Sequence, residues 1–210
     1  MRGVFVTGTD TGVGKTVVSA CLVRAWGADY WKPVQTGLDE DEGDTATVAW
    51  LAELPAERLH PPAYAFGPAV SPHLAAERAG LEISLERLAL PASVRPIVVE
   101  GAGGALVPLN GRAVMADLMV ALGLPVIVAV ADRLGAISQT LLTLEAIRAR
   151  GLGVMGVVLT GGAFADNAEA IARFGRTRVL ARLPHVQTID ASQVARWAAE
   201  APELRRLAAD

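Results

Sequence analysis

Lysine is nearly missing from this sequence. Of 19 basic residues only two, Lys15 and Lys32, are lysines. Everywhere else the chain uses arginine, so these two places want a compact, mobile point charge rather than a wide planar fork. Cysteine is scarcer still. Cys21 stands alone in an apolar run, which excludes an internal disulfide, argues against a cysteine-ligated metal, and reads as a small core residue. The three histidines, His60, His73 and His185, show no metal-ligand spacing, and His73 is placed equally well near a cleft or in a structural role. A net charge of -3 provides no basic field to hold a nucleic-acid backbone. Long apolar runs are also absent: the region Ala113 to Ala131 is broken by Asp117, Gly123 and Pro125. A membrane helix needs about 20 apolar residues in a row, so this region reads as a helix, a turn and a buried strand. Met1-Arg2 leads straight into Gly-Val-Phe-Val-Thr-Gly without an export signal, and the expectation is a cytoplasmic protein with no membrane partner.

What remains is the composition of a compact globular chain, 52% hydrophobic and 20% charged over 210 residues, expected to form one domain across 1–210. Apolar, β-branched runs at Gly3–Thr7, Tyr30–Val34, Pro96–Glu100, Pro125–Ala131, Val154–Thr160 and Arg178–Leu183 lack polar alternation. That pattern suits strands covered on both faces of a parallel sheet. Between them, helices are predicted at Gly14–Trp26, Thr45–Leu51, Pro72–Arg78, Val114–Leu122, Ser138–Arg150, Asn167–Phe174 and Ser192–Glu200. Ser71 reads as an N-cap before Pro72, with Gly80 as terminator. The proline-rich stretch Leu54–Pro72 reads as an ordered surface loop. Alternation of this kind predicts an α/β, doubly wound, mostly parallel sheet of the P-loop NTPase type, with ligands at the carboxyl ends of its strands.

The strongest motif follows the first strand. Gly8-Thr-Asp-Thr-Gly-Val-Gly-Lys-Thr16 is a glycine-rich turn running into an apolar helix. Its backbone N–H groups can surround phosphate oxygens, helped by the helix dipole, with Lys15 reaching the β- and γ-phosphates of a nucleoside triphosphate and Thr16 ligating magnesium. The loop holds one residue more than the usual GxxxxGK[ST] spacing. Trp31-Lys-Pro-Val-Gln-Thr-Gly37 follows the second strand, so Lys32 would project into the same cleft with the Thr36 hydroxyl nearby. In the acidic run Asp39–Asp44, residues Asp39 to Glu42 read as a solvated loop, while Asp44 would cap the next helix and could also bind magnesium. Val99-Glu-Gly-Ala-Gly-Gly104 delivers one carboxylate at the end of a buried strand, before a flexible turn through Gly101, Ala102 and Gly103. Glu100 is the acidic residue that a phosphate-loop enzyme needs for its metal.

Taken with Ser71-Pro-His73 and Leu134-Gly-Ala-Ile137, these motifs resemble the dethiobiotin synthetase family, in that order and over most of the chain. The longer phosphate loop is itself a feature of that family. The resemblance implies an ATP-dependent ring closure in biotin synthesis. One amine of 7,8-diaminononanoate takes up carbon dioxide (supplied as bicarbonate) as a carbamate, and the γ-phosphoryl passes to the carbamate oxygen. The second amine then closes the cyclic urea of dethiobiotin and releases phosphate. It further implies Lys15, Lys32 and Thr11 at the reacting groups, and Thr16, Asp44 and Glu100 around Mg2+. The turn through Gly12, Val13, Gly14 and Val17 would enclose the nucleotide, together with Gly101–Gly103, Thr160, Gly161 and the Pro184 segment. A homodimer is implied as well, with the substrate lying across the interface. Leu134, Gly135, Ala136, Ile137 and Ser138 of one chain would then receive the substrate carboxylate from the other, and Thr11, Lys32 and Thr36 would hold its reacting end. Two positions depart from the family, which often has asparagine where Ser138 and Thr160 stand. The first bears on carboxylate binding and the second on reading adenine. The alternatives are a switch ATPase of the partitioning or carrier type, or a related acyl- or phosphotransfer enzyme. Asp10 argues against the switch ATPases, which carry a signature lysine early in the loop.

Overall fold

The computed structural model describes residues 2–162 and 164–207. Its central feature is a seven-stranded parallel sheet. The strands are β1 (Gly3–Gly8), β2 (Asp29–Trp31), β4 (Leu59–His60), β6 (Ile97–Gly104), β7 (Val126–Ala131), β8 (Val154–Gly162) and β9 (Val179–Pro184). They lie in the order β4-β2-β6-β1-β7-β8-β9. Two further short strands, β3 (Val34–Gln35) and β5 (Tyr64–Ala65), pair in parallel as a separate ribbon. The helices are α1 (Lys15–Trp26), α2 (Gly43–Ala52), α3 (Pro72–Arg78), α4 (Met115–Leu122), α5 (Ala136–Arg148), α6 (Ala165–Gly175), α7 (Ala191–Glu200) and α8 (Pro202–Arg206).

The sheet has two cores because strand side chains alternate between its faces. Phe5, Val99, Val126, Val128, Val157 and Leu159 point to one side, where they pack with Ala75, Met115, Leu144 and Ile171 of the helices α3 to α6. Val4, Val6, Val98, Ile127, Ala129 and Val158 point to the other, against Val18 and Leu22 of α1, Val48 of α2, Val194 of α7 and Leu204 of α8. The unbroken apolar runs of the sequence are therefore two interleaved stripes, each facing its own layer of helices. Cys21 is one of these core residues, and burial pushes its thiol up to about 12.

Several boundaries differ from the sequence reading. The expected strand Tyr30–Val34 stops at Trp31, because Pro33 has no N–H to continue the ladder. The Pro33 carbonyl instead accepts hydrogen bonds from Ala63 and Tyr64, which turns the chain into the β3–β5 ribbon. The stretch Leu54–Pro72 thus carries β4 and β5 rather than being loop throughout. Helix α5 starts at Ala136, before Ser138, behind a left-handed Gly135 with φ 90°. Ser71 precedes α3 without a side-chain cap bond. Helix α8 had no clear sequence signal; its Leu204 carbonyl accepts the indole N–H of Trp26 at 2.6 Å.

Helix α7 has a true side-chain cap. The Asp190 carboxylate accepts the Gln193 N–H at 2.8 Å and the Ser192 hydroxyl at 2.7 Å. The backbone bond from Gln193 comes first among the causes that hold its carboxyl below the ordinary 3.8. A depressed carboxylate contributes stability above its unfolded value and loses it as the pH falls through the folded value. Asp190→Ala is therefore expected to melt below the wild type at neutral pH. That gap should close as the pH drops below 3.8, and a gap unchanged by acid would remove the charge from the cap's contribution.

Candidate functional site

The sheet order places β2, β6 and β1 side by side, so that three motifs far apart in sequence end at one place. The chain leaves β1 into the phosphate loop, leaves β2 at Lys32, and carries Glu100 midway along β6. That strand runs on through Gly101, Ala102 and Gly103 to Gly104, paired with Gly8 of β1, instead of breaking into the flexible turn the sequence suggested. Over them lies a cleft of about 600 Å³ lined by Thr11, Gly12 and Gly14 to Val17 of the loop, by Lys32, Thr36, Asp44 and Glu100, and by Ala102 and Gly103. Its far wall is the segment Ala69–Pro72 that leads into α3.

Local geometry explains the glycines of the loop. Gly14 sits at φ 82° in the left-handed region, as the N-cap of α1. A Cβ there would also come 3.0 Å from the Thr160 side chain, so both backbone and packing require glycine. The Thr160 hydroxyl donates to the Val13 carbonyl at 3.0 Å and to Val130 at 3.3 Å. Its part is to tie the end of β8 to the underside of the phosphate loop, and Val13 itself is buried. Lys15 caps this arrangement by donating to the Asp10 carbonyl at 2.9 Å.

The polar centre of the cleft is compact. The Lys32 ammonium, 3% exposed, donates to Asp44 Oδ2 at 2.7 Å, Glu100 Oε1 at 3.1 Å and the Gly101 carbonyl at 3.0 Å. The Thr16 hydroxyl lies 2.7 Å from Asp44 Oδ1 and 3.1 Å from Glu100 Oε1. Burial alone would drive the Lys32 pKa down, but the Glu100 and Asp44 charges outweigh it and hold the group above its ordinary value. Lys15 goes the other way: burial, then repulsion from Lys32, lowers it. Burial opposes the Asp44 charge, yet Lys32 and the Thr16 hydrogen bond keep its carboxyl low. Two ammonium groups and two carboxylates thus share one small volume. The hydroxyl of Thr16 with the oxygens of Asp44 and Glu100 is a hard, all-oxygen set of the kind that suits a small divalent cation.

Several residues fall elsewhere than the sequence suggested. Asp44 lies in the first turn of α2, which begins at Gly43, and does not cap it; its carboxylate is turned to Thr16 and Lys32, while its N–H is received by Gln35 Oε1 at 3.1 Å. Glu40 and Asp41, read as plain solvated loop, stand on the rim of the cleft. His73 faces a side pocket with Leu109 and Asn110 instead of the main cleft. Gly161 and Pro184 end β8 and β9 outside the cleft proper. Leu134 to Ser138 lie at the head of α5 and do not line the phosphate loop's cleft, with Leu134 91% exposed. Sequence reasoning missed Gln35, whose amide also donates to the Thr36 carbonyl at 2.7 Å, and the Tyr30 hydroxyl, 2.9 Å from Glu100 Oε2. A glutamine or tyrosine in an apolar strand gives no signal of its partner.

Fold and cleft together define a P-loop nucleotide-binding domain. A family model described as an AAA domain matches residues 2–193. The solved structures similar to it include a ParA-family ATPase from Chlorobium tepidum (TM-score 0.59, 11% identity, covering 95% of this chain and 98% of that one). Another is the cell-division ATPase MinD of Pyrococcus furiosus (TM-score 0.54, 14% identity, covering 99% and 100%). At such identities the likeness is one of fold. Sequence relatives are more specific. The chain is 50% identical to the ATP-dependent dethiobiotin synthetase of Paramagnetospirillum magneticum, over 93% of this chain and 94% of that protein. It is 48% identical to the protein of the same name from Novosphingobium aromaticivorans, over 95% and 96%. A bifunctional biotin-biosynthesis protein of Bordetella avium is 55% identical over 98% of this chain, which spans only 44% of that longer protein. The chain belongs to the family of ATP-dependent dethiobiotin synthetases.

The buried charges should show in stability. Removing one member of a buried pair typically costs about 3–5 kcal/mol, because the other charge is left uncompensated. Lys32→Met is expected to fall in that range in urea unfolding, and adding Glu100→Gln should recover much of the loss. If the double variant is no more stable than the single one, the cost comes from packing and not from charge.

Proposed function

We propose that this chain acts as one domain that closes 7,8-diaminononanoate and carbon dioxide to dethiobiotin at the expense of ATP. Its membership of the dethiobiotin synthetases supports the overall reaction. The observation that carries the chemistry is the meeting of Lys15, Lys32, Thr16, Asp44 and Glu100 in one cleft. In this reading one substrate amine adds to carbon dioxide and loses a proton, giving a carbamate whose negative oxygen must approach a negative γ-phosphate. Lys15 and Lys32 lower the cost of that approach by facing the charge that is shared in the transition state. After phosphoryl transfer the second amine attacks the carbamoyl carbon, and phosphate leaves with the C–O electron pair. Thr11 and Thr36, both lining the cleft, hold the reacting end of the substrate. Thr16, Asp44 and Glu100 would hold Mg2+, which supplies charge neutralisation at the β- and γ-oxygens. Backbone groups at Gly12–Val17 and Gly101–Gly103 enclose the phosphates. Thr160 and Gly161 at the end of β8 and the Pro184 segment flank the base.

The protein is read as a homodimer working in the cytoplasm. Residues 134–138 lie outside the phosphate-loop cleft, with Leu134 open to solvent, and the N-terminus of α5 presents backbone donors. A substrate longer than the cleft could place its carboxylate on this helix of a second chain. Among the described residues no helix is long and apolar enough to cross a membrane.

Incubation with 7,8-diaminononanoate, bicarbonate, Mg2+ and ATP is expected to yield dethiobiotin, ADP and phosphate in equal amounts. Lys15→Ala and Lys32→Ala should each lower turnover by about 10²–10³, the loss usual for one preorganised donor. Lys32→Arg should also be poor, since a planar fork cannot meet the three acceptors that surround this ammonium. ATP consumption without dethiobiotin would overturn the reading. A near-normal Lys32→Arg enzyme would take Lys32 out of the reacting centre.

The shared site is tested by mixing. Lys15→Ala protein and a variant disabled at the head of α5 by Gly135→Val, each inactive alone, should regain part of the activity as hybrids after subunit exchange. No recovery, with exchange verified, would place the whole site within one chain.

A further inference from the structure

Among the described residues the Tyr30 hydroxyl has a single hydrogen-bond partner, and that partner is Glu100. Tyr30 lies opposite Val98 in the β2–β6 ladder. Glu100 is two residues further along β6 and so projects from the same face. The phenol therefore reaches along the sheet and donates to Glu100 Oε2 at 2.9 Å, with Tyr30 itself 0% and Glu100 1% exposed. The two carboxylate oxygens are thereby made different. Oε2 is turned back into the core on Tyr30. Oε1 is turned toward the cleft, where Thr16 and Lys32 each lie 3.1 Å away. Neither a rotation of the carboxyl nor a second cleft-facing oxygen is available without breaking the buried phenol bond.

Building on the metal reading above, we infer that Tyr30 is a positioning residue that sets which divalent ion the nucleotide site accepts, by holding Glu100 Oε2 so that only Oε1 can act as ligand. A small ion with strict octahedral geometry takes carboxylates one oxygen at a time, whereas the larger calcium ion readily takes both oxygens of one carboxylate. Restricting Glu100 to one oxygen thus favours Mg2+ over Ca2+. The device lies outside the nucleotide motifs, on a strand residue whose sequence context marks it only as core.

The test is calorimetric binding of a non-hydrolysable ATP analogue to the whole protein, with Mg2+ or Ca2+ varied, so that it reads ion dependence apart from catalysis. In wild-type protein, Mg2+ should support binding at lower concentration than Ca2+. In Tyr30→Phe the Mg2+ requirement should rise about tenfold, the lower end for loss of a partner behind a metal ligand. The Ca2+ requirement should stay level or fall, so the ratio between the ions narrows. Tyr30→Met, a second hydroxyl-free variant, should behave alike. Leu54→Ala, which loosens the same core away from Glu100, should lower the melting temperature and leave the ion ratio unchanged. A folded Tyr30→Phe protein with the wild-type ratio would overturn the inference and leave the metal reading standing. Wild-type binding indifferent to both ions would overturn the two together.

Discussion

The site depends on one buried ammonium. Lys32 is almost fully enclosed, and its three donors meet two carboxylates and a backbone carbonyl that lie in different directions. Without that cation, Glu100 would be a charge in a nearly dry site, and Asp44 would be repelled from it. Without the carboxylates, Lys32 would lose its charge to burial. Each member makes the others affordable, and the group holds only because the sheet order brings β2, β6 and the β1 loop together. The near absence of lysine elsewhere acquires a physical meaning here. Three acceptors arranged around a point suit an ammonium, and a guanidinium in the same volume would leave donors unpaired.

The parts legible in the sequence were those whose signal is local. A glycine-rich turn between an apolar strand and helix, a lysine after a strand, and a carboxylate in a buried run are each visible within a few residues, although the run proved to continue past Glu100 to Gly104. The parallel, doubly wound sheet followed from the same alternation of short elements. What escaped depends on partners far along the chain. Tyr30 meets Glu100 across a separation of 70 residues, and Trp26 meets Leu204 across 178. Pro33 was visible, but its consequence was not: ending β2 there frees Lys32 from the ladder and sends Val34–Gln35 into a second ribbon. Through that ribbon Gln35 comes to hold the N–H of Asp44, so a helix start that looked self-capped is instead anchored from a strand.

Thr160 illustrates how a strand end can brace a neighbouring loop. The β-branched threonine is short, and its hydroxyl is received by the Val13 carbonyl. Its methyl group lies close under Gly14. The phosphate loop is thereby braced from below by the neighbouring strand, and its left-handed glycine is locked in place by packing as well as by conformation.

The fold by itself leaves the chemistry open, since ParA- and MinD-like ATPases share it at 11% and 14% identity. At Asp10 this chain carries a carboxylate, not a cation. One oxygen accepts the Thr11 N–H at 2.7 Å, and the other lies 3.6 Å from Arg133, next to the exposed head of α5. A negative group there cannot neutralise a phosphate. It instead steadies the loop and links it to the segment that leads into α5. The positive charge of the cleft comes instead from Lys15 and Lys32, close enough to repel each other. What sets this cleft apart on a common scaffold is the sign and placement of a few charges.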